Sequence, residues 1–162
     1  MHGFREAFNK GYRKICFNPS EDEAKALEDL EALIRTLFTI GHTLNKDVSK
    51  TPKVWCYLFI DEVHEYSDKL KNDNVDRIWK RGKRYGLVGI AISQRPAEVS
   101  HAILSQSYNH VIFSMSKYEM PYFQRYRIPI DEPEIRNHLK KKYHFVIFEQ
   151  NGKYELYPPV KV

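Results

Sequence analysis

The sequence predicts an α/β fold: a mostly parallel sheet with helices on both faces and a C-terminal antiparallel hairpin. Three observations predict it. Apolar runs of strand length alternate with stretches of helical periodicity, the pattern of parallel βαβ units. Two of those runs, residues 54–60 and 87–92, are apolar almost throughout, as strands covered on both faces are. Near the end, Asn151-Gly152 separates two strand-like segments, a strong signal for a two-residue hairpin turn.

Each element follows from its residues. Residues 1–12 are short and mixed, the end of a helix. Residues 13–17 read as a short strand closed by Asn18-Pro19. Ser20 with Glu23 three residues on spells a capping box, and Glu21, Asp22 and Glu23 suit the positive end of a helix dipole. Leu27, Leu30, Leu33, Ile34, Leu37 and Phe38 then recur at three- and four-residue spacing, an amphipathic helix ending near Gly41. A polar loop, 45–53, leads into strand 54–60. A second helix over 68–85 ends in Lys80, Arg81, Lys83 and Arg84 and is followed by strand 87–92. A short helix over 97–105, a strand over 110–114 and helices over 117–125 and 132–141 precede the hairpin of 143–149 and 154–157. There is no internal repeat and no linker, so residues 1–162 read as a single domain.

Length and composition agree with this. The 162 residues fit one domain of ordinary size, and 42% apolar with 29% charged residues supply both a core and a soluble surface. The longest strongly apolar run, 54–60, falls far short of the roughly 20 residues that span a bilayer. The N-terminus lacks the apolar stretch of a secretory signal, which makes the cytoplasmic side the default. Cys16 and Cys56 form neither a zinc pattern nor a disulfide framework; both read as buried, unreactive thiols. Lys and Arg exceed Asp and Glu by 26 to 21, and the net +5 mildly favours an anionic partner such as nucleic acid.

In a parallel sheet the functional crevice lies beyond the carboxyl ends of the strands. Strand 54–60 runs straight into Asp61-Glu62, two carboxylates that are costly to bury without a partner. An apolar strand followed by Asp-Glu is the Walker B pattern, in which Asp61 holds Mg²⁺ and Glu62 polarises an attacking water. The bland alternative is an acidic turn. The next strand ends in Ser93-Gln94-Arg95-Pro96, where Gln94 is placed to sense a phosphate or orient that water if the two strands are neighbours.

The segments Leu58-Phe59-Ile60-Asp61-Glu62, Lys83-Arg84-Tyr85-Gly86-Leu87 and Ile92-Ser93-Gln94-Arg95-Pro96-Ala97-Glu98-Val99 resemble the HerA/FtsK superfamily of DNA-pumping ATPases. Leu104-Ser105-Gln106, Val111-Ile112-Phe113 and Tyr143-His144-Phe145-Val146-Ile147-Phe148 continue the likeness, the last resembling the terminal strand of viral genome-packaging members. The resemblance covers roughly residues 13–157. It implies a RecA/ASCE-like sheet, ATP and Mg²⁺ as cofactors, duplex DNA as partner, and a homo-oligomeric ring, a hexamer. It makes Asp61 the Mg²⁺ ligand, Glu62 the catalytic base, Gln94 the polar sensor and Ser93 a nucleotide contact. The family's arginine finger stands just before the Gly-Leu that opens the sensor strand. Here Lys83 occupies the usual arginine position, and lysine lacks the planar fork that clamps phosphate oxygens. Arg84 is therefore assigned the finger, with Arg81 second. The alternative is a solvated basic helix end.

The chain contains no phosphate-cradling G-x-x-x-x-G-K-[ST] loop. The family order of strands, 5-1-4-3-2, puts that loop's strand centrally, between 87–92 and 110–114, and its loss leaves two open strand edges. The first recognisable strand, 13–17, resembles strand two. Three readings follow: a C-terminal part of a longer ATPase, the favoured one; a loop arriving on a separate polypeptide; or a degenerate relative. Each predicts little or no ATPase activity for these 162 residues alone.

Asp61-Glu62-Val63-His64 also spells the DExH box of superfamily 2 helicases, but Ser93-Gln94-Arg95-Pro96 fits their Ser-Ala-Thr strand poorly, which leaves His64 an incidental loop residue. Position 68 is Asp, not the second His of a zinc protease. A different class is a catalytically incomplete protein that binds DNA or assembles with motor or capsid proteins. In it Lys80, Arg81 and Lys83, and the run Lys140-Lys141-Lys142, meet phosphates. The plain reading of the lysine run is a solvated helix end. Tyr118, Tyr122 and Tyr126, at helical spacing, read as core or interface packing rather than a base-stacking stripe.

Overall fold

An acidic turn opens the first helix, but two residues later than the capping-box pattern puts it. In the computed structural model, helix α1 spans Glu23–Leu44; Asp22 is its N-cap, accepting the Lys25 N–H at 3.1 Å. Ser20 lies two residues outside and accepts the Asp22 N–H. The structure describes residues 22–46, 53–67, 73–114, 118–126 and 128–161, with 6, 10, 15, 16, 20 and 116 singly. Of the expected strand 13–17, Ile15 and Cys16 are described and are not in a strand; the rest, like most of residues 1–12, lies outside the described residues. Cys16 is exposed, which corrects its reading as buried, because no strand carries it into a core.

The chain divides into two compact units, Met1–Ile92 and Ser93–Val162. In the first, α1 buries Leu30, Leu33, Ile34, Leu37 and Phe38, the face read from its periodicity. Strand β1 is Cys56–Ile60, helix α2 is Asp73–Arg81, continued by a 3-10 turn over Gly82–Tyr85, and strand β2 is Leu87–Ala91. Residues 68–72 of the expected second helix lie outside the described residues. β1 and β2 pair in parallel, Cys56 opposite Leu87 and Ile60 opposite Ala91. α1 and α2 pack on each other and on β2. Gly89 permits this, since a Cβ there would stand 2.8 Å from the Trp79 ring.

Among the described residues of this unit the pair is covered on one face, contrary to the expectation of strands buried on both. Burial alternates along β1, and Tyr57 and Phe59 are 61% and 64% exposed. The helices of this unit lie against the opposite face, which carries the buried Ile60.

The second unit starts with a 3-10 turn, Pro96–Glu98, and helix α3, His101–Gln106, capped by Ser100. Strand β3 is Asn109–Ile112, helix α4 is Met120–Arg125, helix α5 is Pro133–Leu139, and strands β4 and β5 are Phe145–Glu149 and Tyr154–Tyr157. The order is β3-β4-β5, antiparallel throughout. β3 is thus paired antiparallel with β4 rather than placed in a parallel sheet. The alternation of β4 explains it: Val146 and Phe148 point into a core with Ile112, Phe123, Ile128, Ile130 and Ile135, while Phe145 and Ile147 face the other way. The hairpin loop is three residues, Gln150–Gly152, instead of two. The Glu149 N–H donates to the Lys153 carbonyl, and Gly152 takes the left-handed position, φ 86°.

The tyrosine stripe is only partly packed. Tyr122 and Tyr126 are half-buried with ring centroids 5.4 Å apart, and the Tyr122 hydroxyl donates to the Val99 carbonyl at 3.0 Å. Burial, then the hydrogen bond with Tyr126, pushes the Tyr122 hydroxyl up from its ordinary pKa. Tyr118 is 95% exposed, which corrects the core half of its reading: α4 begins at Met120, so helical spacing does not extend back to it.

Candidate functional site

Asp61 and Glu62 stand where β1 stops, at the carboxyl end of the parallel pair. The backbone closes this end tightly. The Ile92 N–H donates to the Ile60 carbonyl at 2.9 Å, and the Val63 N–H donates to the Ile92 carbonyl at 3.0 Å. The two acidic residues form the turn between these bonds, and a short 3-10 helix, Val63–Glu65, follows. Val63 is fully buried and anchors the turn.

Glu62 has φ 47° and ψ 45°, the left-handed region. For a residue with a long side chain this is sparsely populated backbone, of the sort that concentrates at functional sites. Its carboxylate has a close neighbour: Glu62 Oε2 lies 3.3 Å from His64 Nδ1, whose side chain is only 8% exposed. His64, read from the sequence as an incidental loop residue, thus lies against the Glu62 side chain. The Glu-x-His spacing across a one-residue step is the signal that would have marked it. Asp61 is exposed, and its Oδ1 accepts the Glu62 N–H at 3.0 Å. An exposed carboxylate is a hard donor that suits Mg²⁺, an ion that keeps several waters and takes one or two carboxylates. No cluster of three or more metal-ligating side chains occurs among the described residues, and that mode of binding requires none.

The remaining candidates divide by position. Lys80, in the last turn of α2, sits 3.6 Å from Asp76; Arg81 ends the helix and Lys83 and Arg84 follow, all exposed. This cluster precedes β2, and so lies at the amino end of the parallel pair, opposite the Asp61–Glu62 end. Five strand residues at roughly 3.3 Å each separate the two ends by about 16 Å. The structure does not bring Arg84 to the carboxylates of its own unit. Ser93 and Gln94 open the second unit directly after Ile92 in the chain. Ser93 Oγ accepts the Arg95 N–H at 2.9 Å, and Gln94 is exposed. Cys56 lies on β1, half-buried, and desolvation pushes its thiol up.

Neither a protein-family model nor a curated protein matches the sequence. Solved structures do. The genome packaging NTPase B204 of Sulfolobus turreted icosahedral virus 2, in complex with AMP, is similar over 90% of this chain and 66% of its own, at TM-score 0.60 and 20% identity. The fold resembles that of a viral genome-packaging NTPase. The same NTPase with ATP-gammaS is similar over 83% of this chain at TM-score 0.57 and 19% identity. B204, the DNA-packaging ATPase of Sulfolobus turreted icosahedral virus, is similar over 99% of this chain and 79% of its own, at TM-score 0.61 and 14% identity. The chain spans about two thirds of the length of the first of these. At such identities the likeness is one of fold. No described helix is long and apolar enough to cross a membrane.

Proposed function

We propose that residues 1–162 form a single, incomplete P-loop ATPase domain, from the Walker B strand at 54 onward. It belongs to an ATP-driven motor of the HerA/FtsK type that translocates duplex DNA in genome packaging. The observation that carries this reading is the acidic turn: Asp61 and a left-handed Glu62, its carboxylate 3.3 Å from His64, at the carboxyl end of a parallel strand pair, in a fold like that of packaging NTPases.

Asp61 would hold Mg²⁺, which supplies charge neutralisation on the nucleotide phosphates when bound. Glu62 orients the attacking water and accepts its proton; the His64 contact fixes the direction of that carboxylate. Gln94 reads the γ-phosphate, with Ser93 beside it in sequence. Arg84, remote from its own unit's carboxylates, acts on the nucleotide of a neighbouring subunit, which makes a ring the working state. The phosphate-binding loop comes from outside these residues. Open edges support a further strand joining the sheet: among the described residues β2 pairs only with β1. A catalytically incomplete DNA-binding or assembly protein is the second reading, favoured by the absence of that loop from the sequence.

The gene upstream of the Met1 codon is read first. An in-frame G-x-x-x-x-G-K-[ST] after an apolar strand supports the motor. In the product that carries it, Glu62→Gln lowers ATP hydrolysis by about 10²-fold or more, the scale of lost general-base catalysis, while nucleotide binding persists. Full activity in that variant overturns the base assignment. Hydrolysis that survives His64→Ala unchanged removes the positioning role of His64.

A further inference from the structure

Helix α5 ends at Leu139, and the next four residues are Lys140, Lys141, Lys142 and Tyr143, all exposed. Two features separate this turn from an ordinary helix end. Tyr143 has φ 62°, left-handed backbone in which a bulky aromatic is rare, and its ring is 68% exposed with Lys142 Nζ 4.8 Å from the centroid. The turn is also fastened from below. The His144 N–H donates to the Lys141 carbonyl at 3.2 Å, His144 Nδ1 lies 3.1 Å from the Lys142 carbonyl, and the His144 ring packs 4.8 Å from His138. His138 Nε2 in turn lies 2.9 Å from the Tyr157 carbonyl of β5. The strained tyrosine is thus held on a braced platform.

Charge around the turn is uncompensated. Of the acidic residues at the start of α5, Asp131 is taken by Arg136 at 2.6 Å, and Glu132 and Glu134 accept the Tyr154 hydroxyl. Among the described residues none of the three lysines has a carboxylate partner; Lys140 Nζ meets only the Asn137 side-chain oxygen, at 3.4 Å. Three adjacent cations beside a presented ring match a repeating anion that also carries flat faces.

We propose that the turn Lys140–Tyr143 contacts the phosphodiester backbone of nucleic acid, its lysines taking phosphates and the Tyr143 ring stacking on an unpaired base. It rests on the nucleic-acid half of the function proposed above, extending it from duplex DNA to strand ends or openings where a base is unpaired, and involves no nucleotide hydrolysis. Binding of the 162-residue chain to labelled duplex and single-stranded DNA of equal length, across a salt series and without nucleotide, tests it. Replacing all three lysines by Ala should lower affinity about tenfold or more and flatten the salt slope by about 2–3, since each phosphate contact contributes roughly 0.7–0.9. The control removes the same charge elsewhere, at the exposed Lys25, Lys53 and Lys161 together. Tyr143→Gly keeps the left-handed turn, and should weaken single-strand binding about tenfold while Tyr143→Phe does not. The tighter arm identifies which strand state the turn meets. An equal loss in the control, an unchanged slope in the triple variant, or no binding by the parent chain at low salt overturns the proposal. Single-strand affinity unmoved by Tyr143→Gly overturns the stacking role. Because no nucleotide is present, these outcomes are independent of the Glu62→Gln result.

Discussion

The thiols of Cys16 and Cys56 share a chemistry and differ in surroundings. Cys16 is exposed; Cys56 is half-buried on β1 with its pKa raised by desolvation. The thiolate is the reactive form, so burial slows Cys56 twice, by access and by ionisation. At pH 8 a maleimide or disulfide reagent should modify Cys16 at least tenfold faster than Cys56, read by mass spectrometry of the partly labelled chain. Equal rates would contradict the placement of Cys56. The same scale shows what a residue string conveys and what it hides. Asp61-Glu62 after an apolar run was legible, because strand ends and acidic pairs are both sequence features. The left-handed backbone of Glu62 and its contact with His64 were not. They arise from the Ile92–Val63 backbone bond that bends the chain, and that bond joins residues 29 positions apart.

At the scale of elements, the link from the 3-10 turn Gly82–Tyr85 to β2 depends on one glycine. Gly86 has φ 69°, its carbonyl accepts the Trp55 N–H at 3.0 Å, and a Cβ on it would lie 2.1 Å from the Lys53 carbonyl oxygen. Asn45 secures the same corner, its side chain accepting the Lys53 N–H at 2.9 Å and donating to the Tyr85 carbonyl at 3.2 Å. Gly86→Ala should cost the left-handed penalty of about 1–2 kcal/mol and a backbone clash on top of it. Gly152 provides the comparison: its φ is 86°, with nothing within 4 Å of an added Cβ. Gly152→Ala should cost the conformational part only. Denaturant unfolding of both variants measures the difference, and equal losses would refute the close approach at Gly86. Helix faces were legible here because periodicity sets them; Leu30 to Phe38 are buried as spaced. Helix starts were less so, since Ser20 and Asp22 both qualify as caps and the choice depends on which N–H groups the fold turns toward them.

At the scale of the molecule, alternation of strands and helices correctly indicated a mixed α/β fold, and the neighbouring of 54–60 and 87–92 is observed as the β1–β2 pair. The pairing of β3 was not legible, because a four-residue apolar strand fits a parallel or an antiparallel ladder equally well. Apolar run length also misled about coverage. Tyr57 and Phe59 on the first unit, and Val111 and Phe113 on the second, are each at least half exposed. Such faces on folded chains mark surfaces that something covers. In the chain alone they should drive association: sedimentation velocity should show concentration-dependent oligomers, and a dye that fluoresces on apolar surface should bind. Replacing Tyr57 and Phe59 together by Lys removes the apolar rings without opening a core, because both already face solvent. That variant should lose most of the dye signal contributed by the first unit and shift the association to higher concentration. A parent chain that stays monomeric and dye-silent across the concentration range would mean that these rings are covered within the chain itself.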